Sequence, residues 1–238
     1  MKGKSSNRGI GGAASRRQAS VRVKTAKGRK ISSILWLERQ LNDPYVRAAK
    51  AEGYRSRAAY KLIQLNEKYK LLKPGMRVVD LGAAPGGWTQ VVADKIKLEA
   101  DKKAQLVAVD ILKMGDLPGT IVMKEDFTDN DVPDKIKALL GGPVDLVLSD
   151  MAAEGTGHKA TDHIRIMALA EMAYQFAHET LGKGGSFVCK LFQGGGEGEF
   201  MKGLKADFAQ VHFSKPDASR PGAETYVVAK GFKGRKAR

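Results

Sequence analysis

Four charged side chains sit where apolar runs are interrupted or end: Lys61, Asp150, Lys190 and Glu224. Lys190 is the most telling, because it breaks the run Ser186-Phe187-Val188-Cys189-Lys190-Leu191-Phe192. Lysine is rarely buried without a partner or a task. Two amines and two carboxylates could take a proton from a weakly acidic hydroxyl and orient the group that loses it. Burial and a second nearby cation both favour the neutral amine that a base requires, whereas Asp150 and Glu224 oppose it. The pattern alone does not say which influence wins. A buried lysine–carboxylate cluster with a purely structural purpose stays open at this point.

A second constellation is Asp80-Leu81-Gly82-Ala83-Ala84-Pro85-Gly86-Gly87-Trp88, between a short β-branched run and a helical pattern. Glycine lets a backbone turn sharply and approach a ligand where a side chain would collide. The spacing Gly82, Gly86, Gly87 is not the G-x-G-x-x-G of dinucleotide sites, and no Gly-Lys-Ser/Thr follows as in a P-loop. A turn without phosphate-gripping groups suits a nucleoside whose other end is an amino acid. Asp110 closes the next apolar run, where an acid can accept hydrogen bonds from both ribose hydroxyls. Asp126, in Lys124-Glu125-Asp126-Phe127, follows the run after that and could accept from an adenine amino group. Singly these are ordinary, since a glycine turn is often just a turn and a lone loop acid is more often solvated. Their recurrence after three successive apolar runs sets them apart.

These groups need a scaffold that brings distant loops to one edge. A chain of 238 residues, 42% of them hydrophobic, fits one core domain plus tails. Ser56 is a candidate cap for a helix whose apolar face is Ala58, Leu62, Leu65 and Tyr69, ended by Lys73-Pro74-Gly75. Strand-like runs follow at 77–81, 105–109, 120–123, 144–148, 186–191 and 225–229, separated mostly by helical patterns such as 89–96 and 164–181. Strands interleaved with helices predict an α/β fold, a mostly parallel sheet covered by helices on both faces. In such sheets ligands bind beyond the carboxyl ends of the strands. That is where Asp110, Asp126 and Asp150 fall.

Charge points to the partner. Lys and Arg total 41 against 26 acids, a net +15, which concentrates a polyanion near the surface. Nucleic acid is the expected ligand class. Residues 1–30 hold ten basic side chains and no acid, with frequent Gly and Ser, and read as a flexible basic arm. A transit peptide is also basic and poor in acids, but Gly3, Gly9, Gly11 and Gly12 disfavour the amphipathic helix it needs. The domain is expected at 31–232, with a second basic tail at 233–238. No apolar run approaches a membrane span, so no membrane partner is expected. One cysteine excludes an internal disulfide and a cysteine-built zinc site, and a reducing cytoplasmic setting is the default. The four histidines show no metal-ligand spacing. Trp36 and Tyr54 could stack on bases, though core packing explains them equally well.

The run Asp-Leu-Gly-Ala-Ala-Pro-Gly-Gly-Trp at 80–88 closely resembles the first motif of the FtsJ/RrmJ (RlmE) family of ribosomal RNA 2′-O-methyltransferases. The resemblance extends over residues 55–232 and leaves only the basic arms outside. It implies a Rossmann-like methyltransferase fold, a seven-stranded sheet whose last strand is antiparallel, and S-adenosylmethionine as methyl donor. It also implies that Gly86, Trp88, Asp110, Asp126 and Asp150 contact that cofactor. Lys61, Asp150, Lys190 and Glu224 fall on the family's Lys-Asp-Lys-Glu tetrad, with Lys190 as general base. The implied substrate is a uridine 2′-hydroxyl of 23S ribosomal RNA in the 50S subunit, and the implied state a monomer. Transfer RNA and capped RNA would use the same chemistry, and a non-catalytic ribosome-assembly factor is the alternative from another class. Ala153-Glu154-Gly155 stands where Pro-Asn is expected, and Arg220-Pro221-Gly222-Ala223 is less basic than the family segment. Amino-group methylation is disfavoured because Ser149-Asp150-Met151-Ala152 replaces the Asn/Asp-Pro-Pro-aromatic signature. Cys189, beside Lys190 in mid-run, reads as a small core residue rather than a nucleophile.

Overall fold

The structure, a computed structural model, describes residues 28, 30–153, 155–192, 197–220, 222 and 224–235. All of the expected basic arm except Gly28 and Lys30 lies outside the described residues, as do Glu154, the Trp36 side chain and residues 236–238. Among the described residues the chain forms α1 (Ile31–Asn42), α2 (Pro44–Glu52), α3 (Ala59–Tyr69), β1 (Arg77–Leu81), α4 (Gly87–Ile96), β2 (Gln105–Asp110) and β3 (Ile121–Lys124). It continues with α5 (Val132–Leu140), β4 (Val144–Ser149), α6 (Lys159–Thr180), β5 (Leu181–Phe192), α7 (Gly198–Asp207), β6 (Phe208–Ser214) and β7 (Glu224–Phe232).

The strands make one sheet in the order β3-β2-β1-β4-β5-β7-β6. The first five strands are parallel, whereas β7 runs antiparallel to both β5 and β6. This is the expected seven-stranded α/β sheet. The chain moves outward from β1 through β2 to β3, then returns to place β4 on the other side of β1. The sheet therefore opens a crevice at the carboxyl ends of β1 and β4, where ligands bind in such folds.

Side chains alternate across a strand, and here the alternation sorts two cores. Val79, Leu81, Val107, Val109, Val147, Phe187, Cys189, Leu191, Val227 and Ala229 face α5, α6 and α7. Val78, Leu106, Leu146, Leu148, Val188, Tyr226 and Val228 face α3 and α4, packing on Leu62, Leu65, Trp88, Val91 and Ile96. The even positions thus share one face. Asp80, Asp150, Lys190 and Glu224 continue that even series at or just beyond the strand ends.

Two local expectations need correction. Ser56 does not cap α3, which begins at Ala59, and its hydroxyl is buried without a hydrogen-bond partner. The chain enters the helix through tight i→i+3 turns, so the Ser56 carbonyl, not its side chain, takes the Ala59 N–H at 3.3 Å. Ala58 accordingly precedes the helix rather than lying on its face. The helix expected at 164–181 starts earlier, at Lys159, and Leu181 already opens β5.

Candidate active site

Four elements carry one buried cluster. Lys61 projects from the first turn of α3, Asp150 follows β4, Lys190 lies near the end of β5, and Glu224 with Tyr226 opens β7. Asp150 is pinned there because its N–H donates to the Leu81 carbonyl of β1 at 3.0 Å. Lys190 Nζ donates to the Asp150 carbonyl at 2.6 Å and lies 3.3 Å from Asp150 Oδ1. Lys61 Nζ pairs with Glu224 Oε1 at 3.0 Å and stands 3.8 Å from Asp150 Oδ2. Both lysine side chains are largely withdrawn from solvent, at 11% and 7% exposure. Two amines face two carboxylates, and this pairing makes their withdrawal from solvent tolerable.

Tyr226 joins this set and was not singled out from the sequence. Its hydroxyl accepts from Lys61 Nζ at 3.1 Å and donates to Asp150 Oδ1 at 2.8 Å. Burial, reinforced by the negative charges of Asp150 and Glu224, pushes the phenol well above its ordinary range, so it stays a proton donor to Asp150. The signal was present in the alternation: Tyr226 is two residues after Glu224 and so shares its face.

Trp88 is buried, with its indole N–H donating to the Ala58 carbonyl at 2.8 Å and its ring 5.6 Å from that of Tyr226. Its side chain braces Tyr226. The Trp88 backbone lies in the first turn of α4, where N–H groups have no helical partner.

The glycine loop lies on the neighbouring strand ends. Gly82 and Ala83 both donate to the Val109 carbonyl of β2, at 2.9 and 3.2 Å. Gly82 has φ +76°, and a Cβ there would stand 2.7 Å from the Met151 nitrogen, so backbone meets backbone at this crossing. Gly86 has φ +108° and caps α4, and a Cβ there would stand 2.9 Å from both Arg55 Nη1 and Met114 Sδ. The loop is also tied to Asp110, whose Oδ2 accepts from Ala84 N at 2.9 Å and whose Oδ1 accepts from Leu112 N at 2.8 Å. Asp126 Oδ1 accepts from the Thr128 N–H and hydroxyl at 2.9 and 2.7 Å, which holds its carboxyl below the usual range. Asp110 and Lys124 are register partners, so Asp126 lies just beyond the strand end beside Asp110.

Beneath the loop, Asp80 is fully buried and accepts from the Thr89 hydroxyl at 2.8 Å. Burial pushes its carboxyl up to about 7, with Asp150 and Asp110 adding to the rise and the Thr89 hydrogen bond opposing it. Among the described residues no group of three or more His, Cys, Asp or Glu side chains could hold a metal ion. No helix among them is long and apolar enough to cross a membrane.

The glycine loop, Asp110 and Asp126 thus line the carboxyl ends of β1, β2 and β3, the lysine cluster lines those of β4 and β5, and Asp150 joins the halves. A parallel sheet with a glycine turn at its switch point and acids on the next strand ends defines a Rossmann-like methyltransferase. Residues 54–232 match the model of the FtsJ-like methyltransferase family, and the chain belongs to that family.

Two relatives and one solved structure show how close the likeness runs. A Paramagnetospirillum magneticum protein named ribosomal RNA large subunit methyltransferase E is 58% identical over 228 residues, covering 95% of this chain and 93% of that one. A Maricaulis maris protein of the same name is 57% identical over 225 residues, covering 94% of this chain and 78% of that one. A crystal structure of a Plasmodium falciparum protein, described as a ribosomal RNA methyltransferase, superimposes with a TM-score of 0.68 at 33% identity, covering 76% of this chain and all of the other.

Proposed function

We propose that this methyltransferase moves a methyl group from S-adenosylmethionine to the ribose 2′-hydroxyl of a uridine in 23S ribosomal RNA, acting on the 50S subunit as a cytoplasmic monomer. The observation that carries the reading is Lys190, a buried amine at a strand end, anchored to the Asp150 backbone at the junction of the two halves of the site. The names of the relatives support large-subunit ribosomal RNA, and the net +15 charge suits it. The ribose hydroxyl and the uridine follow the family resemblance.

The residues present fit the cofactor. Gly82 lets the loop cross the Met151 backbone and Gly86 lets it pass Arg55 and Met114, which shapes the turn, and the free N–H groups at the start of α4 suit a carboxylate. Asp110 Oδ1 and Oδ2 each accept one backbone N–H and retain acceptor capacity for a ribose. Asp126 would take the base, while Gly86, Trp88 and Asp150 would border the amino-acid end. Bound there, S-adenosylmethionine supplies an electrophilic methyl group on a sulfonium.

Lys190 in its neutral amine form takes the proton of the attacking hydroxyl and becomes an ammonium, a transfer of the kind that contributes about 10²–10⁴-fold. Asp150 fixes its amine through the carbonyl and Oδ1. Lys61, held by Glu224 and Tyr226, presents a cation that steadies the oxygen as charge develops on it. Residues 31–232 form the catalytic domain, and the basic segments 1–30 and 233–238 hold phosphates. Labelled S-adenosylmethionine incubated with 50S subunits, naked 23S ribosomal RNA, transfer RNA and capped RNA tests the reading, followed by mapping of the label. A single methylated ribose in 50S subunits is expected. Label confined to transfer RNA, to capped RNA or to a base overturns it.

A further inference from the structure

Ala218, in the loop between β6 and β7, is gripped on both sides of its backbone. Its N–H donates to Gln64 Oε1 at 2.9 Å, and its carbonyl accepts from the Arg57 guanidinium. Gln64 in turn donates to the Tyr45 hydroxyl at 3.2 Å. Arg57 Nη1 pairs with Asp43 Oδ2 at 2.7 Å, with both side chains mostly buried. The other Asp43 oxygen caps α2, accepting from Tyr45 N at 2.9 Å. A third tie, from Lys215 Nζ to the Gly222 carbonyl at 2.6 Å, closes the loop end to end.

Arg57, Lys61 and Gln64 repeat at i, i+4 and i+7, one stripe along the entry and first turns of α3. The outer two clamp the loop, and the middle one holds Glu224, to which the loop leads. Ala218 is buried with Ala49 of α2 and Tyr60 of α3. Arg220, two residues further on, is exposed and stands four residues before Glu224 in the chain. Its planar fork of donors matches a phosphate. Asp43 and α2 precede the residues matched by the family model.

We propose that Arg57 is a positioning residue: held by Asp43, it fixes the β6–β7 loop so that Arg220 meets a phosphate of the RNA strand entering the site. Through it, α2 becomes part of the substrate-binding apparatus. The inference rests on the RNA methyl-transfer reading above.

Asp43→Asn isolates the clamp, because asparagine caps a helix about as well as aspartate but cannot pair with the guanidinium. Arg57→Lys keeps a cation but cannot fork between Asp43 and the Ala218 carbonyl. Methyl transfer to 50S subunits at saturating cofactor should show KM raised about ten-fold in each variant, with kcat within about two-fold. Affinity for naked 23S ribosomal RNA, read by anisotropy, should fall in step, while cofactor affinity by calorimetry holds. Arg220→Gln should give the same loss, and adding Asp43→Asn to it should cost little more, since the clamp acts through Arg220. Unchanged RNA affinity and KM in Asp43→Asn and Arg57→Lys, even with a lower melting temperature, would reduce the clamp to a structural tie. Additive losses in the double variant would overturn it as well. RNA affinity reads the clamp whether or not 50S subunits are the methyl acceptor, so absence of label from the unaltered protein counts against the proposed reaction and leaves this test intact.

Discussion

Lys190 and Tyr226 are register partners across the antiparallel β5–β7 ladder, and both converge on Oδ1 of Asp150, at 3.3 and 2.8 Å. The ladder therefore fixes the amine and the phenol relative to each other before either meets Asp150. Lys61 enters from α3 and completes the chain through the phenol. Strand register thus sets how the amine and the phenol of this cluster stand to each other.

The first prediction separates base chemistry from placement. Lys190→Ala should abolish methyl transfer while cofactor affinity stays within a few-fold, since a base acts mainly in the transition state. Lys190→Arg should fail too, because a guanidinium stays protonated and cannot accept a proton. Substantial turnover by the arginine variant at saturating RNA would leave Lys190 with a positional role only.

Tyr226→Phe removes one hydroxyl and keeps the ring that packs on Trp88. Lys61 and Asp150 then lose their shared partner. Hydrogen bonds to charged groups contribute about 1.5–3 kcal/mol, so kcat should drop by roughly ten- to hundred-fold. Cofactor affinity, measured by calorimetry, should hold. A kcat within two-fold of the unaltered protein would show that the ion pairs alone position Lys61.

How much of this was legible beforehand follows from period and burial. Lys190 stood out because a charge inside an apolar run is costly, and β4, β5 and β7 are buried enough to read as such runs. Tyr226 did not stand out, because an aromatic residue in a strand is ordinary; only its parity with Glu224 marked it. Strand β6 was missed for a different reason: it lies at the sheet edge with Ala209, Gln210, His212 and Phe213 exposed, so it shows no apolar run. Helix α2 had a readable signature in Asp43-Pro44 and Gly53, an N-cap, a first-turn proline and a left-handed C-terminal glycine, but its weak apolar face hid it. Ser56 looked like a cap, yet tertiary packing of the turn against α4 overrode that local preference. Asp80 was visible as part of the glycine motif, whereas its complete burial depends on α4 folding over it.

Asp110→Ala probes the cofactor half. The carboxylate both ties the glycine loop and faces the crevice, so its loss should weaken S-adenosylmethionine binding by about 1.5–3 kcal/mol. RNA affinity should change little, because Asp110 lies on the opposite half of the site from the clamped β6–β7 loop. Calorimetry giving unaltered cofactor affinity would remove Asp110 from that half.

Asp80 makes a prediction about stability and pH. Its carboxyl is pushed up to about 7 in the folded chain, chiefly by burial, against an ordinary value of about 3.9 when unfolded. Between those values the folded chain keeps a proton that the unfolded chain has released, so stability should fall as pH rises through this window and level off above it. The loss is on the order of a few kcal/mol. Asp80→Asn offers Thr89 the same kind of acceptor without a charge, and should flatten that part of the profile. Urea unfolding of both proteins from pH 4.5 to 8.5 tests it: the advantage of the asparagine variant should grow with pH. A difference that stays constant across the range would mean Asp80 does not titrate there.

The last prediction concerns residues 1–27, which hold eight cations and no acid and precede Lys30, the N-cap of α1. So basic and glycine-rich a segment is expected to grip phosphates without reading sequence. Each phosphate neutralised releases condensed counterions, giving a slope of log affinity against log salt of roughly −0.7 to −0.9 per contact. Removing residues 1–27 should therefore flatten that slope by several units and weaken RNA binding most at low salt. The methylated nucleotide should not change, because Lys61, Asp150, Lys190, Glu224 and Tyr226 belong to elements that the truncation leaves whole. If the segment were instead a transit peptide, the shortened chain would keep its full RNA affinity and the same salt slope. Titrating both forms against one RNA at several salt concentrations separates the two, and superimposable slopes would show that the arm does not hold the RNA.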